Sequence, residues 1–421
     1  MTTITLRSAA GPWRTRSEVS GQAETYAAQS HALSFDLVTD VAAFETLEPE
    51  WDALFAAAGR PTQVFQTFAW NWHWCRHYLP PQSSRSRSQL AIVTGRLSGR
   101  LVLVWPLVLE RVAGLRRLAW MGDPVSQYGD VLVAPEADND TTLLAAWAFA
   151  LSATRADLAH LRKVREDSTA ARVLSRLGAK IIATEQAPYL DLAGASGSDS
   201  CQQLLVSKGR RNRRRHERRL ADIGPITVHS PEGGDAASDL ARHAIDMKRQ
   251  SLAGKGQISR AFADDRLKAF FVDVAAGHDR PVPCRVATLR SGSDTAAMQI
   301  TLDCKGHRFL HITVYAHAFE KFGAGAVLLE REVQKSFEDG FAAFDLLAPL
   351  HPYKMEFAGS AVAVHDYAIT RSLRGRLYAS LVLSGRQHAK KAVERLPAPL
   401  RRYLASLMAV RSALKSGAAP P

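Results

Sequence analysis

One order of elements occurs twice along the chain, and it constrains the fold more than any other feature of the sequence. In each half two helix-like segments precede two strands joined by a short turn, and a helix and a further strand follow. The turn carries Ser-Gly in both halves, in "LAIVTGRLSGRLVLVWPLVL" and in "PCRVATLRSGSDTAAMQITLDC". Ser and Gly between two apolar runs are typical of the bend between antiparallel strands. We therefore predict an α/β fold built twice, by duplication.

The first half illustrates the pattern on which this prediction depends. In 41–59 the apolar residues Phe44, Leu47, Trp51 and Leu54 recur at helical spacing. Asp40 is in position to cap that helix and Gly59 to end it. The most apolar run, "LVLVWPLVL" (101–109), has half the length needed to span a bilayer, and we interpret it as a buried strand.

Composition shifts divide the chain into five parts. The polar start has no apolar segment of signal-peptide length, and we expect it to be disordered. The stretch "AGASGSDS" is typical of a linker, and the last part is typical of basic helices broken at "PAP". We predict a leader over 1–30, an N-terminal unit over 31–192, a linker over 193–200, a C-terminal unit over 201–370 and a tail over 371–421.

The positive charge is confined to two places. The chain carries a formal net charge of +13, of which the run 207–220 contributes +7 and the segment 371–421 contributes +10, so that the rest is net −4. A protein coated for DNA would be basic throughout, so DNA is not an expected partner. The distribution favours local binding of anions.

The run "SKGRRNRRRHERRL" (207–220) is predicted to be one helix. Apolar residues bracket it, Gly224 follows its end, and no aromatic side chains interleave with its arginines as stacking on single-stranded nucleic acid would need. We expect its arginine face to meet a phosphorylated donor or acceptor; the alternative is a merely solvated face. The predicted phosphate-binding residues are Arg211, Arg214, Arg215 and Arg218.

Several chemistries find no support in the sequence. The four cysteines are far apart and form no C-x-x-C pair, which favours a reducing cytoplasm over a disulfide framework. His73 and His77 lie one helical turn apart in an aromatic-rich segment, and packing explains them better than a metal does. The sequence has no Walker A loop, H-E-x-x-H motif or G-x-S-x-G elbow. No metal site is predicted.

The segment "KFGAGAVLLE" (321–330) places small residues where a loop turns into an apolar helix. Such a backbone can approach a phosphate closely, with free N–H groups and the positive helix end facing the anion. The spacing alone fits an ordinary glycine-rich helix start equally well.

Taken together, the segments resemble a known family. An aromatic "FQTFAWNWHW", the basic run continuing into "LADIGPITV", and "YAHAFEKFGAGAVLLE" followed by "GFAAFDLL" and "YK" occur in this order. The pattern resembles GNAT-superfamily acyltransferases of the CelD/BcsL-like group, which are linked to bacterial cellulose and exopolysaccharide synthesis and distantly related to the FemAB peptidyltransferases. The resemblance covers residues 35–360.

This resemblance implies two tandem GNAT-like units, each a mixed, mostly antiparallel sheet flanked by helices, followed by a basic helical tail. It also implies that acetyl-CoA or another acyl-CoA is the co-substrate, with no metal. Gly323, Ala324 and Gly325 would contact the pyrophosphate. Glu320 departs from the family pattern, which has Gln or Arg there. The resemblance further implies a catalytic cleft at four residues: Tyr315, Asp345, Tyr353 and Lys354.

Acyl transfer needs a route for the acceptor's proton and donors for the developing oxyanion. Asp345, at the end of the apolar strand "AAFDLLA", could orient the acceptor or take its proton; a turn-capping role is the alternative. Tyr353 or Tyr315 could protonate the leaving thiolate. Lys354 could bind a phosphate or carboxylate, or be a surface lysine. His311 is interpreted as a core histidine; the alternative is that it faces the same cleft.

The function expected from the sequence is acyl-CoA-dependent N- or O-acyl transfer to a small molecule or glycan precursor of the cell envelope. The alternatives are an aminoacyl-tRNA-dependent transferase of the FemAB kind and a non-catalytic accessory protein of an exopolysaccharide synthase. A cytoplasmic location is expected. The basic tail, with leucines interleaved, suits either peripheral membrane contact or packing on the protein's own acidic surface.

Overall fold

The computed structural model describes residues 4–6, 33–79, 88–194, 207–257, 259 and 261–385. Most of the predicted leader and linker, and the tail beyond residue 385, lie outside the described residues. The chain divides into two compact units: unit 1 is Met1–Ala183 with His365–Ser380, and unit 2 is Thr184–Val364 with Leu381–Pro421. The predicted boundaries of the five parts stay a prediction.

Unit 1 contains a sheet in the order β1-β2-β4-β5-β8 and a run of neighbouring strands in the order β3-β6-β7-β9. Its strands are β1 (Ile4–Leu6), β2 (Leu33–Val38), β3 (Ser88–Leu90), β4 (Ile92–Leu97), β5 (Arg100–Trp105), β6 (Leu107–Val112), β7 (Leu115–Trp120), β8 (Leu132–Val133) and β9 (Leu158–Arg165). The run predicted as one strand over 101–109 is therefore two strands in different sheets. They are separated by Pro106, which has no N–H to donate to a ladder.

The helices of unit 1 are α1 (Val41–Thr46), α2 (Glu48–Ala58), α3 (Phe68–Tyr78), α4 (Asp140–Thr154) and α5 (Thr169–Arg176). The helix predicted over 41–59 is divided at Leu47 into α1 and α2. Its predicted ends are confirmed: Asp40 Oδ1 accepts from the N–H of Ala43 at 2.8 Å, and Gly59 follows the last turn of α2. His73 is completely buried within α3, as the packing interpretation requires.

Unit 2 contains strands in the order β11-β12-β13-β14-β15-β10, antiparallel except for the parallel pair β14 and β15. These are β10 (Lys180–Asp191), β11 (Ile226–His229), β12 (Cys284–Ser291), β13 (Asp294–Cys304), β14 (His307–Tyr315) and β15 (Ala343–Asp345), and β16 (Ser360–Thr370) follows. The helices of unit 2 are α6 (Ser207–Ala221), α7 (Gly234–Gly254), α8 (Asp265–Ala276) and α9 (Ala324–Glu338). Helix α10 (Leu373–Tyr378) follows along the chain and belongs to unit 1.

The core of unit 2 explains why α6 and α9 form where they do. Val327 and Leu328 of α9 are buried against the sheet with Ala287 and Leu289 of β12. Leu220 at the end of the basic run is also fully buried in this cluster. The predicted helix over 207–220 is thus confirmed, and an apolar anchor holds its C-terminal end.

The prediction of a mixed α/β fold is confirmed. Each unit has helices that flank its strands, and each runs helix, helix, antiparallel strands, helix and parallel strand in sequence. This arrangement leads in unit 2 from β14 through a short loop to α9, and there the candidate site lies.

Candidate functional site

Strands β14 and β15 separate beside the start of α9. Among the described residues, β14 pairs with β15 through its first three residues, His307–Phe309 with Ala343–Asp345, and then continues alone on that side to Tyr315. The pairing of β14 with β13 skips His311, since Ile300 pairs with Ile312 and Thr301 with Leu310. Ligands commonly bind beyond the carboxyl ends of parallel strands, so the place where β14 and β15 part is the candidate site.

The loop after β14 ends at Gly323, where the backbone adopts a left-handed conformation that favours glycine. Gly323 has φ of +63°, closes the 3-10 helix His317–Phe322 and caps α9. Ala324 begins α9, and a Cβ placed on Gly325 would lie 3.1 Å from Cδ1 of Tyr315. The first N–H groups of a helix have no acceptor within the helix. The three predicted pyrophosphate residues thus form one N-terminal turn with partial positive charge.

Helix α6 lies against this turn. A Cβ placed on Gly323 would be 2.9 Å from the ring of His216. Burial, and then the positive charges of Arg215 and Arg219, lowers the pKa of His216. A neutral imidazole therefore covers one side of the α9 N-terminus at neutral pH. His216 was not predicted as a site residue, because the arginines around it make charge the most evident feature of the run.

Tyr315 is held by a lysine and a glutamate. Its phenolic oxygen accepts a hydrogen bond from Lys255 Nζ at 2.7 Å and donates to Glu320 Oε1 at 3.1 Å. Lys255 Nζ also lies 4.6 Å from the centroid of the Tyr315 ring. Glu320 is further contacted by His317 Nδ1 at 3.2 Å. The charge of Glu320, the residue that departs from the family pattern, is therefore offset within the site.

Tyr353 lies close enough to Tyr315 for the two phenols to affect one another. Burial of its phenol, and then the neighbouring Tyr315, raises the pKa of Tyr353 to about 12, although 37% of the residue's surface stays exposed. The ring stacks on His351 with centroids 6.1 Å apart. Tyr353 therefore keeps its proton at neutral pH, and the raised pKa makes it a weaker proton donor than an ordinary phenol.

Asp345 and Lys354 are both buried, and both bond to Leu347 in the loop after β15. Asp345 Oδ1 accepts from the N–H of Leu347 at 2.8 Å. Lys354 Nζ donates to the carbonyls of Leu347 at 2.7 Å and Pro349 at 2.9 Å. Lys354 is buried, so it is not a surface lysine. The bond from the N–H of Leu347 to Asp345 is the kind of contact that a turn-capping aspartate makes. These two side chains shape the loop; their catalytic roles stay predictions.

A second lysine near β14 was not found from the sequence. Lys248 of α7 donates from Nζ to the carbonyl of Thr313 at 2.9 Å. Burial, and then the charge of Lys255, lowers the pKa of Lys248. Its helix carries several charged residues, so the sequence offers no signal that singles it out.

The four predicted phosphate-binding arginines of α6 are all exposed, as either a phosphate-binding or a solvated face requires. Arg213, which was not singled out, is instead 1% exposed. Its Nε donates to Glu330 at 2.9 Å, and its guanidinium carbon lies 4.4 Å from the centroid of Phe357. The spacing of Arg213, His216 and Leu220 is that of one helical face, and this periodicity was the available signal.

Part of the chain matches a known family. Residues 207–355 match the family described as acetyltransferase (GNAT) domain. No curated protein matches the chain.

A solved structure with a TM-score above 0.5, that of FemX, shows a shared fold. The crystal structure of FemX is 10% identical and aligns over 80% of this chain and 98% of its own, with a TM-score of 0.56. L-PGS from Bacillus licheniformis is 13% identical over 80% and 95% of the two chains, with a TM-score of 0.47. A tandem GNAT protein from the clavulanic acid biosynthesis pathway is 14% identical over 80% and 98%, with a TM-score of 0.44.

No described helix combines the length and apolar character needed to cross a bilayer. Within the described ranges, no three His, Cys, Asp or Glu side chains are grouped as a metal ion would need.

Proposed function

We propose that this protein is an acyl-CoA-dependent N- or O-acyltransferase, with acetyl-CoA as the first donor to test, acting on a glycan or other cell-envelope precursor. The observation that carries the proposal is the parting of β14 and β15 beside the N-terminal turn of α9. This feature lies within the residues that match the acetyltransferase domain family.

The residues at the turn fit a diphosphate. Ala324 and Gly325 offer N–H groups at the positive end of α9. Gly323 provides the turn into the helix, and its own N–H donates to the carbonyl of Glu320 at 3.1 Å. Glu320 would oppose an anion, but Lys255 Nζ lies 3.8 Å from its Oε1, and Tyr315 and His317 also contact it. Bound acyl-CoA would supply the activated acyl group as a thioester.

The chain's own residues then have two tasks. Tyr315 and Tyr353 hold protons at their phenolic oxygens and would donate one to the leaving sulfur, with Lys255 fixing the position of Tyr315. Lys248, whose ammonium is destabilised by burial, would accept the proton of the attacking amine or hydroxyl. Each transfer thus returns one proton to the protein and removes one from it.

A second donor, aminoacyl-tRNA, is favoured by α6. Arg211, Arg214, Arg215 and Arg218 form an exposed basic face, and His216 of the same helix covers part of the α9 N-terminus. Clustered exposed arginines suit a phosphate backbone. With this donor the reaction is still acyl transfer, but the affinity depends steeply on salt.

Contact with a membrane surface is a separate proposal. Leu373, Leu377 and Leu381 recur every four residues and are 79%, 61% and 66% exposed. Arg374 and Arg376 lie between them in sequence. Exposed leucines beside arginines suit the interface of an anionic bilayer.

Calorimetric titration of the full chain tests the choice of donor. Acetyl-CoA, a long-chain acyl-CoA and a charged tRNA are each added at low and at physiological salt. Saturable binding of an acyl-CoA that changes little with salt supports the first donor. Binding of tRNA alone, falling steeply with salt, supports the second.

A further inference from the structure

The loop that follows β15 presents an apolar surface to solvent. Leu350, Tyr353 and Met355 are 41%, 37% and 45% exposed, and Pro352 between them is exposed as well. Large apolar side chains that gather on the outside of a folded protein mark a binding site, whereas single ones do not. These four residues are called the apolar loop surface below, and all of them belong to unit 2.

The backbone of this loop turns the apolar side chains outward. Residues Pro352–Glu356 form a 3-10 helix, in which side chains three positions apart share a face. Lys354 in this helix and Phe357 at its end form the inward face, with exposures of 6% and 1%. Tyr353 and Met355, on either side of Lys354, therefore point away from the core of unit 2.

Buried contacts hold the loop in this shape. Lys354 Nζ donates to the carbonyls of Leu347 and Pro349, and Phe357 belongs to a buried apolar cluster that includes Leu346. The apolar loop surface is thus formed before a ligand arrives, which reduces the conformational entropy that binding would cost.

The apolar loop surface offers no free charge to a ligand. Burial, and then the charge of Lys354, lowers the pKa of His351, so this imidazole is mainly neutral at pH 7. Lys354 itself points inward. Glu356, which follows the surface, forms an ion pair with Arg213 at 3.4 Å. The group that covers this surface is therefore expected to be uncharged and apolar.

Tyr353 connects the apolar loop surface to the candidate site. Its phenol lies close enough to Tyr315 for that neighbour to raise its pKa further, after burial. In the proposed acyltransferase function these two phenols protonate the leaving sulfur. The acyl carbon is bonded directly to that sulfur, so the acyl chain begins beside Tyr353. Leu350 and Met355 are the exposed apolar side chains that the chain meets next in this loop.

We propose that the apolar loop surface binds the acyl chain of the donor, so that the protein prefers medium- and long-chain coenzyme A thioesters to acetyl-CoA. A chain that contacts Leu350 and Met355 removes apolar surface of both partners from water. The proposal rests on the proposed acyltransferase function and adds to it the length of the transferred group.

Calorimetric titration of the full chain with acetyl-CoA, hexanoyl-CoA and decanoyl-CoA tests the proposal. The three thioesters share the coenzyme A moiety and differ only in the length of the acyl chain. We expect the affinity to rise with chain length, by roughly tenfold or more from acetyl-CoA to decanoyl-CoA, because the added methylene groups are buried.

A double variant separates the acyl chain from the rest of the donor. Leu350→Gln with Met355→Gln removes two exposed apolar side chains and keeps both tyrosines. It should bind acetyl-CoA as the wild type does, which also verifies its fold, and bind decanoyl-CoA roughly fivefold to tenfold more weakly. Ile223→Gln, at another exposed apolar residue of unit 2, is the matched control and should leave both affinities unchanged.

Equal affinities of the wild type for acetyl-CoA and decanoyl-CoA would overturn the proposal and leave the acyltransferase function standing. Equal weakening of decanoyl-CoA binding by Ile223→Gln and by the double variant would overturn it too. Octyl β-glucoside, a sugar with an apolar tail, is the probe for the acceptor. If the double variant weakened binding of this probe but not of decanoyl-CoA, the surface would serve the acceptor instead. Failure of all three thioesters to bind would contradict the acyltransferase function and this proposal with it.

Discussion

Lys255 Nζ lies 2.7 Å from the phenolic oxygen of Tyr315, and the same lysine lies 3.8 Å from Glu320 Oε1. The three side chains come from the end of α7, the end of β14 and the loop before α9. The residue following α7 is thereby connected to the loop that leads into the proposed donor site. Tyr315 has hydrogen-bond partners on two sides, Lys255 and Glu320, so the first prediction concerns it.

Tyr315→Phe should lower kcat by roughly 10²-fold or more while changing KM little, because it removes a proton donor and keeps the ring beside Gly325. Steady-state release of free thiol from acetyl-CoA measures both constants. Tyr78→Phe, a buried tyrosine of α3 in unit 1, is the matched control and should retain wild-type kcat. A rise in KM at constant kcat would assign Tyr315 to binding instead.

Lys354→Met should lower the free energy of unfolding by roughly 1–3 kcal/mol, since it leaves the buried carbonyl of Leu347 and the partly buried carbonyl of Pro349 without their donor. Urea denaturation measures the change. Lys180→Met, at an exposed strand end, should have little effect. If Lys354→Met kept full stability and lost activity, the catalytic prediction would be preferred to the loop-anchoring role.

Replacing Arg211, Arg214, Arg215 and Arg218 with Gln should leave the folded state intact, because all four side chains are exposed. It should weaken binding of the phosphorylated donor and flatten the salt dependence of that binding. Calorimetry at two salt concentrations measures both effects. A donor affinity equal to that of the parent at both concentrations would favour the solvated-face alternative.

Stability should fall as the pH decreases from about 6.5 to about 4, and His160 should account for part of the loss. Burial is the main reason that the pKa of His160 is lowered to about 4; Asp366 and Asp123 oppose the shift, and Arg117 and Arg162 add to it. The unfolded chain therefore takes up a proton before the folded chain does. The loss of stability that His160 causes is nearly absent above pH 6.5 and reaches about 2–3 kcal/mol near pH 4.

His160→Gln isolates this contribution. Urea denaturation at several pH values should give a variant curve that declines less than the wild-type curve over the same interval. Parallel curves for the two proteins would show that His160 titrates alike in the folded and unfolded states.

Replacing Leu373, Leu377 and Leu381 with Gln should weaken binding to vesicles of phosphatidylglycerol and phosphatidylcholine by at least about tenfold, because each buried leucine side chain contributes about 1.5–3 kcal/mol. Sedimentation with the vesicles measures the bound fraction. Leu177, Ile181 and Ile223 are other exposed apolar residues, and replacing them with Gln serves as the control. Equal effects of the two triple variants would argue against a dedicated membrane contact.

The sequence predicted the fold better than the site because local signals determine helices and turns. Asp40, Gly59 and Gly323 act through their own backbone or side chain, and the structure has each at the end of a helix. Pro106, which separates β5 from β6, is an equally local signal. It was not used in the prediction because apolar residues on both sides make 101–109 resemble one strand.

The site depends instead on contacts between residues far apart in sequence. Lys255 meets Tyr315 across 60 positions and His216 meets Gly323 across about a hundred, and no spacing rule predicts either contact. Arg213 is an intermediate case, since helical periodicity with Leu220 indicates its inward face.

Calorimetric titration of acetyl-CoA into the wild-type chain and two glycine variants tests the central claim most directly. Gly325→Asp introduces a carboxylate beside Tyr315 at the proposed diphosphate turn, and Gly254→Asp introduces one at the end of α7, where a Cβ has no heavy atom within 4 Å. We predict saturable binding to the wild type and to Gly254→Asp, and binding at least about tenfold weaker to Gly325→Asp. Absence of heat and of any rise in Tm with every acyl-CoA tried would contradict the account, because a ligand that binds the folded state must stabilise it.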